Sequence, residues 1–361
     1  MATTLLSQTA RTLYAELREQ ALIASVTPPL GAPPGAIVRK TIKGREYLYL
    51  QLRDLDGRMR QRYLGPASDE RTARMVARLA AHRGDHDGAQ VQLQRLRAAF
   101  LAAGGSALAP APFRVIQAFA HAGVLTPGAP GGGAVLIGTH AFQCLGNVLG
   151  VRWQAALNTQ DVDLAAEVDQ DIELAVARPD LPAGDVLTRL EMGFLPVPTL
   201  DPRSPSTSYF VRGQELRVDL LTPMTGRASG PRFVPAFGAA AAPVRHLDFL
   251  LVEPIAVLAL STRDLAVVQV PDPARFGLHK LMVSVLRPAV FATKADKDRL
   301  QAMQVLRALL DSAPDELPRA WRELVERGSG WTRKVHQALK ACRRLDEELV
   351  AELLPLLPQL R

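Results

Sequence analysis

The sequence predicts a multidomain protein of the α/β (α+β) class, with a mixed-sheet core between an N-terminal helix with a β-meander and a C-terminal helical domain. Its 361 residues are enough for two to three domains of about 150 residues each. Hydrophobic residues make up 48% of the chain and charged residues 22%, which is typical of a folded globular protein. The pattern of apolar residues changes twice along the chain, so we expect three parts, at 1–125, 126–270 and 271–361.

The N-terminal part begins with a predicted helix at about residues 4–24, where leucines recur near helical spacing until Pro28 and Pro29 end it. Alternating polar and apolar residues then predict a three-stranded β-meander at 36–42, 46–53 and 58–64. Residues 69–103 are rich in Ala, Arg and Leu and predict two helices separated by 82–88, with another helix at 113–122. These helices would connect the meander to the core.

The central part follows a glycine-rich boundary at 127–133. It predicts short apolar strands that carry isolated Asp residues, at 134–137, 162–165, 208–212, 216–221 and 249–252. From Pro273 onward the periodicity predicts helices at 276–286, 295–310, 317–327 and 334–353. The helical C-terminal part is expected to close a cleft over the core.

Several classes of protein are excluded by the composition. The longest apolar stretches, at 249–252 and 255–260, are interrupted by Glu253 and Pro254 and are much shorter than the roughly 20 residues that cross a bilayer. Charged residues interrupt positions 1–20, which is unlike a signal peptide. The two cysteines, Cys144 and Cys342, stand far apart and indicate neither a disulfide framework nor a zinc site. We expect a cytoplasmic protein with no membrane partner.

Basic residues exceed acidic ones and give a formal net charge of +7, which favours anionic partners. Much of the excess lies at 37–62. A basic and aromatic strand face there would suit phosphate contact and base stacking by RNA, and its predicted members are Arg58, Arg60, Arg62, Tyr47 and Tyr49. The other interpretation is a solvated sheet whose tyrosines cover an adjoining helix.

A strand that ends in Gly138 and Thr139 is the first motif with chemical meaning. Glycine lets a phosphate approach the backbone closely, and the N–H groups that start the following helix favour anions. We therefore predict that Gly138 and Thr139 bind phosphate.

Three aspartates form the second motif. Asp161 and Asp163 alternate with apolar residues, so on a strand both carboxylates would leave the same face. Asp219 lies within the apolar strand 216–221. Carboxylate oxygens are ligands for Mg²⁺ or Mn²⁺, and three acids can hold two metal ions. Alternatively, Asp219 is a strand-edge acid that faces solvent or pairs with Arg217.

The order of these motifs resembles the nucleotidyltransferase superfamily, whose fold is shared with DNA polymerase beta. The similarity covers about residues 134–310, and it is closest to a bacterial branch with the motifs found here at 138–142 and 159–164. A more distant similarity links the chain to nucleotidyltransferase toxins of the abortive-infection type. In those proteins a Lys, an Arg and a Lys/Arg-Asp pair follow the core, as Lys280, Arg287 and Lys297-Asp298 do here.

The resemblance implies transfer of a nucleotidyl group from a nucleoside triphosphate to an acceptor, either RNA such as a tRNA end or a protein. Asp161 and Asp163 would ligate both metal ions, and Asp219 the one near the acceptor hydroxyl. Gly138 and Thr139 would hold the β- and γ-phosphates. Lysines would neutralise the triphosphate, with the predicted residues being Lys280 and either Lys294 or Lys297.

Two other interpretations stay open at this point. The protein could be a catalytically silent regulator that binds nucleotide or RNA with the same fold. A role as a toxin or in phage defence concerns its purpose rather than its chemistry. The base of the nucleotide, the acceptor and the oligomeric state are not indicated by the sequence.

Overall fold

The computed structural model describes residues 3–26, 35–42, 45–53, 59–125, 133–154, 160–167, 182–199, 201, 203–227 and 229–358. The chain divides into two compact units. One unit is Gln20–Leu96, and the other combines Met1–Glu19 with Arg97–Arg361. The architecture is mixed α/β, as the sequence predicts.

The N-terminal third contains helices and the predicted meander. Its elements are β1 (Thr4–Leu5), α1 (Gln8–Val26), β2 (Gly35–Ile42), β3 (Arg45–Arg53), β4 (Met59–Pro66), α2 (Glu70–Ala102) and α3 (Pro110–His121). The three antiparallel strands β2, β3 and β4 form a sheet of their own. One prediction was wrong here, because α2 is a single helix where two were expected. A glycine inside a helix costs only about 1 kcal/mol, so Gly84 and Gly88 do not end it.

The central third carries most of the strands. Its elements are β5 (Val135–Ile137), α4 (Gly138–Val148), β6 (Val151–Arg152), β7 (Asp161–Ala165), α5 (Ala183–Arg189), β8 (Phe194–Pro196), β9 (Ser208–Val211), β10 (Arg217–Pro223), β11 (Arg232–Val234), β12 (Ala239–Val244), α6 (Leu247–Leu251), β13 (Ile255–Leu260) and β14 (Leu265–Val270). The strand predicted at 249–252 was wrong, because these residues belong mostly to helix α6. Periodicity cannot distinguish a strand from a buried helix in an apolar run this short.

The principal sheet has the strand order β11-β12-β10-β7-β5, with β9 also paired to β10 and β8 to β9. β10 is parallel to β7 and to β12, whereas β5 is antiparallel to β7. β7 and β10 therefore lie side by side near the centre of a mixed sheet. Four of their apolar residues, Val162, Leu164, Val218 and Leu220, are fully buried in the core. Residues that alternate with them must leave the opposite face.

The C-terminal third is helical, as predicted, but the single helix expected at 334–353 was wrong. Two helices lie there, Ser329–Cys342 and Glu347–Leu356, and the Asp346 side chain caps the start of the second. Its helices are α7 (Pro273–Leu286), α8 (Ala292–Ser312), α9 (Glu316–Glu326), α10 (Ser329–Cys342) and α11 (Glu347–Leu356). Asp272 starts α7, where its carboxylate accepts a hydrogen bond from the Arg275 backbone N–H at 3.0 Å, which satisfies a donor at the helix end. The helices share a second buried cluster that includes Trp321 and Leu339. In the described part of the chain, every helix is too short or too polar to cross a membrane.

Candidate active site

The three predicted acids lie on one face of the principal sheet. In the parallel pairing of β7 with β10, Asp163 is opposite Asp219 and Asp161 is opposite Arg217. Residues paired across neighbouring strands point to the same side of a sheet. Asp219 therefore lies on the same side as Asp161 and Asp163.

The glycine turn lies directly against the middle acid. β5 pairs with β7 so that Ile137 is opposite Asp163, and Gly138 follows at once with a left-handed φ of +68°. A Cβ at position 138 would overlap Oδ2 of Asp163. Only glycine meets both conditions, because other residues rarely adopt this φ and all carry a Cβ. The first residues of α4 and the Asp163 carboxyl are thus neighbours.

Asp163 is in an environment that opposes its negative charge. Burial raises the pKa of its carboxyl to about 7, and the charges of Asp219 and then Asp161 act in the same direction. Lys280 and Lys294 oppose these effects and lower the pKa. A bound cation or a proton would offset the negative charge of Asp163, which burial and the two neighbouring carboxylates disfavour.

The donor chemistry of the acids fits a hard divalent cation, which prefers carboxylate oxygens. Within the described residues, however, no group of three His, Cys, Asp or Glu side chains is arranged to hold a metal ion. One oxygen of Asp219 already has two hydrogen-bond donors. Arg217 Nε donates a hydrogen bond to Asp219 Oδ1 at 2.8 Å, and the Ser208 hydroxyl donates to the same oxygen.

The sequence allows two interpretations of Asp219: a third acid beside Asp161 and Asp163, or an acid that pairs with Arg217. In the structure Asp219 does both. Arg217 also donates from Nη2 to the Ser208 hydroxyl at 3.1 Å. Ser208 comes from β9, which is opposite β10 in antiparallel register. The sequence analysis missed Ser208, because only the pairing of β9 with β10 brings this residue to the acids.

The lysines of the helical part face the acids. Lys280 on α7 forms an ion pair with Asp298 on α8, with 2.8 Å between Nζ and Oδ1, and Arg287 pairs with the second oxygen of Asp298. Burial would raise the pKa of Asp298, but Lys280 and Arg287 outweigh burial and hold this pKa below its usual value. Lys280 is thereby anchored where its charge also reaches Asp163.

Lys297 and Lys294 complete this basic side of the site. Burial lowers the pKa of Lys297 and the neighbouring charge of Lys280 lowers it further, whereas Asp298, Asp161 and Asp163 act to raise it. Lys294 acts on the pKa of Asp163. The predicted lysines and the predicted acids therefore lie together, although they come from distant parts of the chain.

Thr139 is buried behind the glycine turn. Gln301 on α8 donates from Nε2 to the Thr139 hydroxyl at 3.4 Å, which leaves the hydroxyl proton able to point elsewhere. Gln301 was missed by the sequence analysis, since nothing in the sequence of α8 marks it. His140 and His279 are also buried, and burial is the main cause that lowers their pKa to about 4 and about 3. Both imidazoles are neutral near pH 7 and so are not cationic phosphate ligands.

The predicted basic and aromatic face of the meander needs a correction. A β-bulge lies between Leu48 and Tyr49, and beyond it the register pairs Leu50 with Arg62 and Leu52 with Arg60. Because a shift of one residue moves a strand's residues to the other face, positions 60 and 62 are on the face of Leu52 and Leu50 and not on the face of Tyr47 and Tyr49.

Arg58, and also Thr159 of the motif at 159–164, lie outside the described residues. Tyr49 is half-buried, with Lys40 Nζ 5.1 Å from the centre of its ring. Tyr47 is opposite Lys40 in the register. RNA binding at this sheet stays a prediction, and the described residues that would carry it are Lys40, Tyr47 and Tyr49.

Comparison with known proteins identifies the family. A family model described as nucleotidyltransferase matches residues 112–326, which is more than half of the 361 residues. The match includes the glycine turn, all three acids and the lysines of α7 and α8. Neither a curated protein nor a solved structure matches the chain. The chain therefore belongs to a nucleotidyltransferase family, and the protein is a transferase of phosphorus-containing groups.

Proposed function

We propose that this protein moves a nucleoside monophosphate from a nucleoside triphosphate to an acceptor in a reaction that needs Mg²⁺ or Mn²⁺. The catalytic residues of this proposal are Asp161, Asp163 and Asp219. The observation that carries it is the parallel register of β7 and β10, which puts Asp219 beside Asp163 at the glycine turn. Family membership alone supports nucleotidyl transfer but neither the metal nor the acceptor.

The acids have two tasks in this proposal. Asp161 and Asp163 would hold the divalent cations, two of them as the resemblance implies. When bound, such cations neutralise phosphate oxygens and polarise the groups attached to them. Asp219 would hold the cation nearest the acceptor and would either accept the proton of the attacking hydroxyl or favour its loss. The hydrogen bonds from Arg217 and Ser208 both go to Oδ1 of Asp219, so its second oxygen, Oδ2, would be the ligand in this proposal.

The triphosphate would lie between the glycine turn and the lysines. The N–H groups at the start of α4 and the Thr139 hydroxyl would bind the β- and γ-phosphates, because helix N-termini favour anions. Lys280 and Lys297 would stabilise the charge that develops on the leaving pyrophosphate. Two electrostatic effects support this assignment. The charge of Lys280 lowers the pKa of Asp163, and the charges of Asp161 and Asp163 act to raise the pKa of Lys297.

The acceptor is proposed by class only. RNA, such as a tRNA end, is favoured by the net charge of +7 and by the Lys40 and Tyr49 pair on the meander, while a hydroxyl on a protein is the alternative. A catalytically silent regulator of the same fold is the competing function. The presence of all three acids on one sheet face argues against a regulator, since binding alone does not need three clustered carboxylates.

The test is a transfer assay with each α-labelled nucleoside triphosphate, Mg²⁺ or Mn²⁺, and either total RNA or protein extract. The control is the double variant Asp161→Ala with Asp163→Ala. We expect label to appear on one acceptor class with the wild type and not with the double variant. Equal labelling by both proteins would contradict the assignment of the acids. RNA binding shared by both proteins without any transfer would establish the silent regulator.

A further inference from the structure

The connection between α7 and α8 exposes an unusual amount of apolar surface. Among the residues that the structure describes, nine large apolar side chains are exposed, and three of them fall within the six residues 286–291. These are Leu286, Val290 and Phe291, of which Val290 is 82% and Phe291 46% exposed. Large apolar side chains grouped in this way, with charged neighbours, mark a binding surface.

This surface adjoins the site already described. Lys294 Nζ lies 5.6 Å from the centre of the Phe291 ring, and Lys294 is close enough to Asp163 for its charge to act on that carboxyl. Arg287, at the other end of the connection, is tied to Asp298 and so to Lys280. Lys294 is therefore near both the exposed ring and Asp163.

We propose that Phe291 stacks on the nucleobase of the bound nucleoside triphosphate while Lys294 contacts its phosphates. This inference rests on the proposed function and adds to it the residue that binds the base. Aromatic side chains stack on any base, because every base has a π face. An exposed ring beside a cation that also acts on Asp163 matches a ligand that is flat and apolar at one end and anionic at the other.

Two other occupants are less well matched. A protein partner typically buries about 800 Å² on each side of an interface, and three apolar side chains flanked by Lys294 and Arg287 offer a small and cationic patch instead. A base of the acceptor would also stack, but the triphosphate is the substrate that family membership implies. Normal ATP binding by a Phe291 variant in the experiment below would favour these alternatives over the proposal.

The experiment measures equilibrium binding to the full chain of ATP and of inorganic tripolyphosphate, each with Mn²⁺, and of total RNA. For Phe291→Ala we expect ATP affinity to fall by about tenfold, within the range that base stacking contributes, and tripolyphosphate affinity to be unchanged. Phe291→Trp should keep ATP affinity, and Phe291→Leu should lose most of it. The matched control is Phe233→Ala, which removes a comparably exposed phenylalanine from β11 and should change neither affinity.

The possible failures are distinguishable. If the wild type binds both ligands and Phe291→Ala binds ATP normally, the inference is overturned and the proposed function stands. The inference also fails if the variant loses ATP and tripolyphosphate to the same degree, because Phe291 would then act through the lysines. Loss of RNA binding with normal ATP binding would assign the ring to the acceptor. A wild type that binds neither ATP nor tripolyphosphate would overturn the proposed function and this inference together.

Discussion

Asp163 on β7 and Asp219 on β10 are direct partners in a parallel register, so their side chains leave the same face of the sheet. This pairing joins two motifs that are far apart in the sequence. It also makes each acid part of the other's surroundings, since the charge of Asp219 raises the pKa of Asp163. The functional site is therefore a place of unfavourable electrostatics in the absence of a cation, and this has measurable consequences.

Replacement of Asp163 by Asn should stabilise the protein in EDTA. The folded pKa of Asp163 is about 7 against about 3.9 for an unfolded Asp, so its charge is disfavoured only in the folded state. The wild type therefore loses stability as pH rises from about 4 to 7, whereas the variant does not. At pH 8 the gain in the free energy of unfolding should be at least about 1.4 kcal/mol, the equivalent of one pKa unit.

Urea denaturation of both proteins at pH 4 and pH 8 checks this expectation. The two proteins should differ little at pH 4 and clearly at pH 8. A variant that is less stable than the wild type at pH 8 would show that burial and the neighbouring carboxylates do not disfavour the charge of Asp163 as described.

Gly138→Ala should abolish transfer activity and reduce stability. The new Cβ would overlap Asp163 Oδ2 and displace this carboxyl from the turn. Gly226→Ala is the matched control, because Gly226 has nearly the same φ, +69°, with nothing within 4 Å of a Cβ. Both variants carry the strain of a left-handed alanine, which is of order 1 kcal/mol, so their difference isolates the contact with Asp163.

The measurements are transfer rate and urea denaturation for the two variants. We expect activity close to the wild type for Gly226→Ala and none for Gly138→Ala. Full activity of Gly138→Ala would mean that the turn does not position the acid.

Asp298→Asn should destabilise the protein by about 3–5 kcal/mol, the usual cost of removing one member of a buried ion pair. Only 3% of the Asp298 side chain is exposed, and it pairs with both Lys280 and Arg287. The pKa of Asp298 is held below its usual value, so its contribution is complete above about pH 4 and is lost as pH falls through the folded pKa.

Asp296→Asn is the control on the same helix, since its side chain is 72% exposed in its pair with Arg299. Its effect should stay within about 0.5 kcal/mol. Urea denaturation at pH 7 and pH 3 measures both variants. Equal stability of the two variants at pH 7 would contradict the structural importance of the Lys280, Asp298 and Arg287 cluster.

Lys40→Ala should weaken RNA binding if the meander contacts RNA. Loss of one phosphate contact reduces the slope of log K against log salt by about 0.7 for a single strand. Lys340→Ala removes an exposed lysine from α10 and serves as the control. Filter binding to total RNA over a series of salt concentrations measures both slopes. An unchanged slope for Lys40→Ala would favour a solvated sheet.

Local alternation of polar and apolar residues explains why the sequence predicts that the three acids leave one face of a sheet. On a strand, the apolar residues beside Asp161, Asp163 and Asp219 indicate which face of the sheet each carboxylate leaves. This period of two needs no tertiary information. The glycine turn is equally local. Their order along the chain then resembles a known superfamily, which also predicts the mixed sheet around them.

The remaining features depend on packing that sequence periodicity does not contain. Ser208 reaches Asp219 through the pairing of two strands, and Gln301 reaches Thr139 through the packing of α8 on α4. Because of a single bulge, positions 60 and 62 pair with leucines and are not on the face of Tyr49. The two contacts depend on tertiary packing, and the bulge depends on one extra residue in a strand, so the alternation of polar and apolar residues predicts none of the three.

The central claim is most directly tested by the transfer rate of Asp219→Asn. This change keeps the size of the side chain but removes its charge, and Asp315→Asn, at an exposed acid before α9, is the control. With the nucleotide and acceptor found active for the wild type, we predict at least about a hundredfold loss for Asp219→Asn, as for a catalytic carboxylate, and no loss for Asp315→Asn. A transfer rate for Asp219→Asn that equals that of the wild type would contradict the account.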